Sequence, residues 1–233
     1  MPMEAAVSRE YTQDAPMASD DNIQSGSTSD PEYHDYEGQT VMVLIGLSRR
    51  CYTISMSLLD KFPSLYSLLK TNPAPKTHDT FKSLTLPDVD ENIGHTLMHY
   101  LSTGDFQLRK ASCTSDISKR QEYYNQSILA YCTALNYGLC GLQGQAKRFI
   151  EVFGPSVYIH DIIDLTRQVY GTVRDDQWYF EHLTARIQAA FDADERIFLE
   201  EKFIDGFDET SPLNKFLVRT MARAYHTKLS SLR

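Results

Sequence analysis

The chain has 233 residues, of which 31 are acidic and 23 basic, for a net charge of −8 at neutral pH. Residues 1–38 hold nine of the acidic side chains against the single basic Arg9, which leaves 22 of each sign in the remainder. A charge-balanced body lacks the clustered Lys and Arg that displace counterions from a polyanion, so it argues against nucleic-acid binding.

The longest apolar run is about seven residues, short of the roughly 20 that span a bilayer, and the N-terminus shows no charged-then-apolar leader. Four cysteines (Cys51, Cys113, Cys132, Cys140) lie at spacings that match neither a zinc knuckle nor a redox pair. The expectation is a protein of the cytoplasm and/or nucleus, without disulfides, membrane or cofactor, in which Cys132 and Cys140 are small core residues.

Along the chain, residues 1–38 mix Ser, Asp, Thr, Gly and Pro with few apolar residues, too few to offset the entropy of ordering. They are expected to be a disordered acidic tail, with Ser29 a phosphorylation candidate because Glu32 follows it by three. Val41 to Gly46 reads as a strand, Arg49-Arg50 as a turn tip, and Cys51 to Ile54 as a second strand. Pro63 opens a helix through Leu69, and Ser83 to Leu86 forms a third short strand. Asp90 suits the cap of a helix from Glu91 to Leu101. The polar segment Phe106 to Gln121 reads as a loop. Two helices follow, Glu122 to Tyr137 with Gly138 as its left-handed end, and Leu139 to Phe153. The last 79 residues read as helical throughout. Caps are expected at Ser156 and at Ser211, which Pro212 follows, and a helix is expected from about Asp176 with Phe180, Leu183, Ile187 and Ala190 on one face.

The hairpin with "CYTISMSLL", the "FPSLYSLL" helix, "LTLPDVD" before "LMHYLSTGDF", and "ILAYCTALNYGLCGLQGQA" follow one another in an order that resembles the BTB/POZ domain. The resemblance covers about half of the chain. It implies an α+β fold: a BTB/POZ-like core over residues 39–153, a small mixed sheet flanked by helices, followed by a helical extension over 154–233 packed on that core. It also implies a non-enzymatic interaction module, scaffold or regulatory, with protein partners and homodimerisation among its modes. A substrate adaptor of a cullin-RING ubiquitin ligase is the alternative. The family's hydrophobic-x-acidic cullin motif is not evident where this chain reads Gln126-Ser127-Ile128. On this reading the interface candidates are Arg49 and Arg50 at the hairpin tip, with Phe106, Leu108 and Ile117 in the long loop.

Catalytic and metal chemistry finds little purchase. His95 and His99 stand at i,i+4 on a helix, but no glutamate lies between them and no third ligand is near. An enzyme or metal protein using that pair is the second alternative. No nucleophile elbow or phosphate-binding glycine loop occurs. Gly138, Gly141 and Gly144 fit a helix end and a close helix approach. Asp175-Asp176 and Glu200-Glu201 read as solvated pairs, and Trp178-Tyr179-Phe180 as core of the helical part.

Overall fold

The computed structural model describes residues 40–71, 82–204 and 211–231; the acidic tail and Ser29 lie outside them. Three strands form a mixed sheet in the order β2-β1-β3: β1 (Thr40–Ile45), β2 (Arg50–Ser55) and β3 (Lys82–Leu86). The β1–β2 pair is antiparallel, with Val43 opposite Tyr52, and the β1–β3 pair is parallel, with Val43 opposite Leu84. A parallel neighbour requires a crossover, which contains α1 (Met56–Leu59) and α2 (Pro63–Thr71). Alternation sets the buried face: Val41, Val43 and Ile45 are fully buried together with Leu84 and Leu86. The hairpin turn begins at Gly46, whose φ of +75° is left-handed, and a side chain there would run into Glu91.

Asp90 accepts the Asn92 amide at 2.7 Å and so caps one turn of 3₁₀ helix, Glu91–Ile93, that runs into α3 (Gly94–Thr103). α4 (Asp116–Tyr137) is six residues longer than its apolar periodicity suggests. Ser115 caps it by accepting the Ser118 amide, and Asp116 supplies a first-turn negative charge. The expected 16-residue loop therefore shortens, and the rest of it is pinned. Gln126 takes the Arg109 amide at 3.0 Å and donates to the Arg109 carbonyl at 3.3 Å, as a neighbouring strand would. Gln145 likewise holds the Phe106 amide and the Gly104 carbonyl.

Gly138 ends α4 in the left-handed conformation, and α5 (Cys140–Phe153) returns antiparallel to it. Gly141 permits the expected close approach, since a Cβ there would run into the Tyr100 hydroxyl, whereas Gly144 meets nothing. Cys132 is buried as expected but Cys140, at the start of α5, is exposed. All four cysteines are free.

The helical part comprises α6 (Ile159–Val173), α7 (Gln177–Ala193), α8 (Glu201–Ile204) and α9 (Pro212–Ser231). Ser156 sits in a preceding 3₁₀ turn and does not cap α6, which also runs through Gly171 to Val173. Asp176 does cap α7, accepting the Tyr179 amide at 2.7 Å. The same oxygen accepts the Tyr131 hydroxyl of α4 at 2.8 Å. Around that bond Trp178 and Tyr179 pack on the Tyr131 ring, with Lys147 over the face of Trp178 at 4.6 Å. The aromatic triplet is thus core, as its setting suggests, but core shared with α4. No helix among the described residues is long and apolar enough to cross a membrane.

Two stability outcomes are expected. Asp176→Ala removes a cap and the carboxylate acceptor of a buried hydroxyl, at a cost of about 2 kcal/mol. Asp175→Ala, an exposed neighbour, should change stability by less than about 0.5 kcal/mol. Denaturant unfolding of the two variants checks the contrast, and equal losses would refute the junction. His182 of α7 stacks on Trp178 and lies 3.4 Å from the Tyr124 hydroxyl. Burial, and then the Arg186 charge, push its imidazole down from 6.5 to about 4. Between those values the unfolded chain takes up a proton that the folded chain refuses, so stability falls with falling pH, by up to about 3 kcal/mol. In urea titrations from pH 7 to 4, His182→Phe should flatten that decline; an unchanged slope would refute the assignment.

Candidate functional site

A polar cleft of about 560 Å³ opens between the sheet end and the seam of α4 with α6. Its first wall is the hairpin turn, with Gly46, Leu47 and Arg50, and the segment Pro87 to Asn92. Its second wall is one face of α4, with Leu129, Cys132, Thr133 and Asn136, and one face of α6, with Gln168, Val169 and Thr172. These positions recur at helical spacing, so each helix turns a single mixed stripe toward the opening. A second hollow of about 380 Å³ shares Asp90, Asn92, Leu129 and Gln168 with the first and extends it past Asn125 toward Ser112 and Glu122.

Charge at the cleft is uneven. Asp88, Asp90, Glu91 and Glu122 contribute carboxylates against Arg50 and Arg109. Glu91 is committed: its Oε1 accepts the Ser48 amide at 2.9 Å and the Ser48 hydroxyl at 2.5 Å. Those bonds, the hydroxyl first, with Arg50 nearby, hold its carboxyl below the usual range. Burial opposes ionisation of Glu122, yet bonds from Cys113 and Ser112 and the charge of Arg109 keep it low as well. Arg50 spends one N–H on the Glu91 carbonyl at 3.4 Å. Burial, with Asp176 behind it, pushes the Cys132 thiol up to about 12, so it is not a nucleophile.

Thr133 is the telling residue. It is only 3% exposed, and within the described residues its hydroxyl has no hydrogen-bond partner, not even the carbonyl one turn back that Ser127 of the same helix uses. Yet the hydroxyl is not sealed. Arg186 Nε is the one fully enclosed side-chain polar atom without a partner among the described residues. The residual exposure of Thr133 opens into the cleft. Asn125, Asn136, Gln168 and Thr172, on the same two stripes, also make no side-chain hydrogen bond among the described residues.

The interface candidates read from the sequence do not converge. Arg49 sits at the hairpin tip with a left-handed φ of 54° and is exposed, and Arg50 lines the cleft. Phe106 packs on Phe149 at 4.7 Å, and Leu108 is half-buried in the pinned segment. Ile117 is 63% exposed on the first turn of α4. His95 and His99 stack with centroids 6.3 Å apart, and no group of three or more potential metal ligands occurs among the described residues. The α4 and α6 stripes were missed because Asn, Gln and Thr carry no motif; their positions opposite one another depend on the helix crossing.

Comparison with known proteins overturns the BTB/POZ resemblance. The matching family models are the HAC6 N-terminal domain, over residues 57–157, and the HAC6 small helical domain, over residues 158–233. The BTB-like interaction module, scaffold or regulatory, and the cullin-ligase adaptor rested on that resemblance and fall with it. For the second alternative, an enzyme or metal protein using His95 and His99, the described residues supply no third ligand beside the pair. The signals behind the resemblance, a hydrophobic hairpin, short strands and helices in that order, are ones that many α+β folds share. Two curated proteins of Aspergillus fumigatus strains, each described as a subtelomeric hrmA-associated cluster protein, are 32% identical over 146 residues. That stretch is 62% of this chain and 37% of each relative, so the chain corresponds to little more than a third of their length. No solved structure matches.

The cleft can be checked through stability alone. Thr133→Val removes a hydroxyl that bonds to nothing and should leave stability within about 0.5 kcal/mol or raise it. Gln126→Leu strips two backbone groups of their partner and should cost about 2 kcal/mol. Thermal unfolding of both variants decides; a large loss for Thr133→Val would mean that its hydroxyl is structural. The α4–α6 seam of the cleft lies where the two matches meet: residues 57–157, with α4, are similar to the HAC6 N-terminal domain and residues 158–233, with α6, to the HAC6 small helical domain.

Proposed function

We propose that the chain is a non-catalytic binding protein that holds a small polar ligand in the cleft at the α4–α6 seam. The observation that carries this reading is Thr133, a buried hydroxyl left without a partner and open to a cleft of about 560 Å³. A buried polar group without a hydrogen bond costs stability, and a ligand would supply the missing bond. Clefts at domain junctions are common binding sites because two rigid walls meet there without filling the gap.

Binding is favoured over catalysis by the state of the carboxylates. Glu91 and Glu122 are both held below the usual range by local hydrogen bonds, the opposite of the upward tuning that a general acid or base needs near neutrality. The acidic excess at the rim supports a partner other than nucleic acid. Four unpaired cysteines suit a reducing compartment, cytoplasm or nucleus.

Asn136 is exposed on the α4 stripe, so Asn136→Trp should fill the cleft while leaving the fold intact. A panel of polar metabolites screened by thermal shift against the full chain is expected to yield a ligand whose stabilisation disappears in that variant. A panel with no hit, or with hits indifferent to Asn136→Trp, would place the function elsewhere.

A further inference from the structure

We infer that the ligand of this cleft is an extended aliphatic cation carrying amino groups, of the linear polyamine type; the inference rests on the binding role proposed above. Its chemistry is set by what lines the cleft and its extension. No aromatic ring is among the lining residues, so nothing there stacks a nucleobase or covers the apolar face of a sugar. Four carboxylates face two guanidinium groups, which disfavours anions. Glu91 and Glu122 are engaged by Ser48, Ser112 and Cys113, but Asp88 is exposed at the mouth, and no hydrogen bond to it occurs among the described residues.

An ammonium group has three donors and no acceptor, so it needs several convergent oxygens. The Asp88 carboxylate, the Thr133 hydroxyl and the amide oxygens of Asn136 and Gln168 line one cleft and are all without side-chain hydrogen bonds among the described residues. Val89, Leu129 and Val169 line the same cleft, apolar surface that suits the methylene spacers of such a cation. Length also fits. Asn125 to Asn136 spans about 16 Å of helix, so the joined hollows favour a linear molecule with cationic groups several methylenes apart over a compact one. The acidic residues 1–38 carry the same sign as the rim and are not its complement.

Spermidine is the probe, titrated into the full-length chain by calorimetry at 150 mM salt, which suppresses loose association with the acidic residues 1–38. One saturable site with a sub-millimolar Kd is expected, weakened at least fivefold by Asp88→Asn and about threefold by Thr133→Val, and lost in Asn136→Trp. Circular dichroism melts confirm that each variant is folded. A blocked lysine peptide, Ac-Ala-Lys-Ala-Lys-Ala-NH2, is the second arm. Binding tighter than that of spermidine would make the source of the amino groups a polypeptide and overturn the free polyamine. Spermidine binding that is weak, multiple and indifferent to Asp88→Asn and Thr133→Val is association with the acidic residues 1–38, and overturns the site. If spermidine fails while another polar ligand binds and is lost in Asn136→Trp, the cation is wrong but the cleft stands. If nothing binds, both fall.

Discussion

The carboxylate of Asp176 joins the two halves of this protein. One of its oxygens accepts both the Tyr179 amide, as the cap of α7, and the Tyr131 hydroxyl from the middle of α4. A cap alone would start α7 but leave its direction free; the second bond ties that start to a fixed point on α4. Tyr131 is fully buried, and burial is what drives its phenol pKa upward, so its hydroxyl stays a proton donor at any physiological pH. Trp178 and Tyr179 then close on the Tyr131 ring, so the first turn of α7 is held against α4.

The cleft follows from that geometry. α6 lies along α4 with Ile162, Ile163 and Thr166 buried, which leaves Gln168, Val169 and Thr172 along the open edge of the seam, and the Asp176 bond fixes the start of α7 beyond it. The opposite wall is set independently by the sheet. Gly46 must be glycine, since its positive φ and the proximity of Glu91 leave no room for a side chain. That turn lets Glu91 grip Ser48, which draws the 3₁₀ segment against the hairpin and shapes the acidic rim. Two separate local devices therefore face each other across a gap that neither fills, and a polar residue such as Thr133 can stand there without an internal partner. Thr166, one helix away and equally buried, shows the alternative, since its hydroxyl bonds both the Ile162 carbonyl and Tyr179.

The sequence by itself determined most of the local structure. A short β-branched apolar run marked β1, the Asp90 cap announced its helix, and Gly138 and Pro212 set an end and a start, because these effects act within one or two turns of chain. Where local reading erred, a local competitor was responsible. The Ser115 cap extended α4 through a polar stretch whose face needs no apolar stripe. Cys140 falls on the outer side of α5 despite its apolar neighbours. Fold family was not legible, because the same run of short strands and capped helices serves many architectures. Tertiary structure alone decided the joint between the domains and the cleft beside it. Tyr131 and Asp176 are 45 residues apart, and the polar stripes of α4 and α6 line one opening only once the two helices pack together. Pairing at such a separation is set by the helix crossing, which no window of sequence contains.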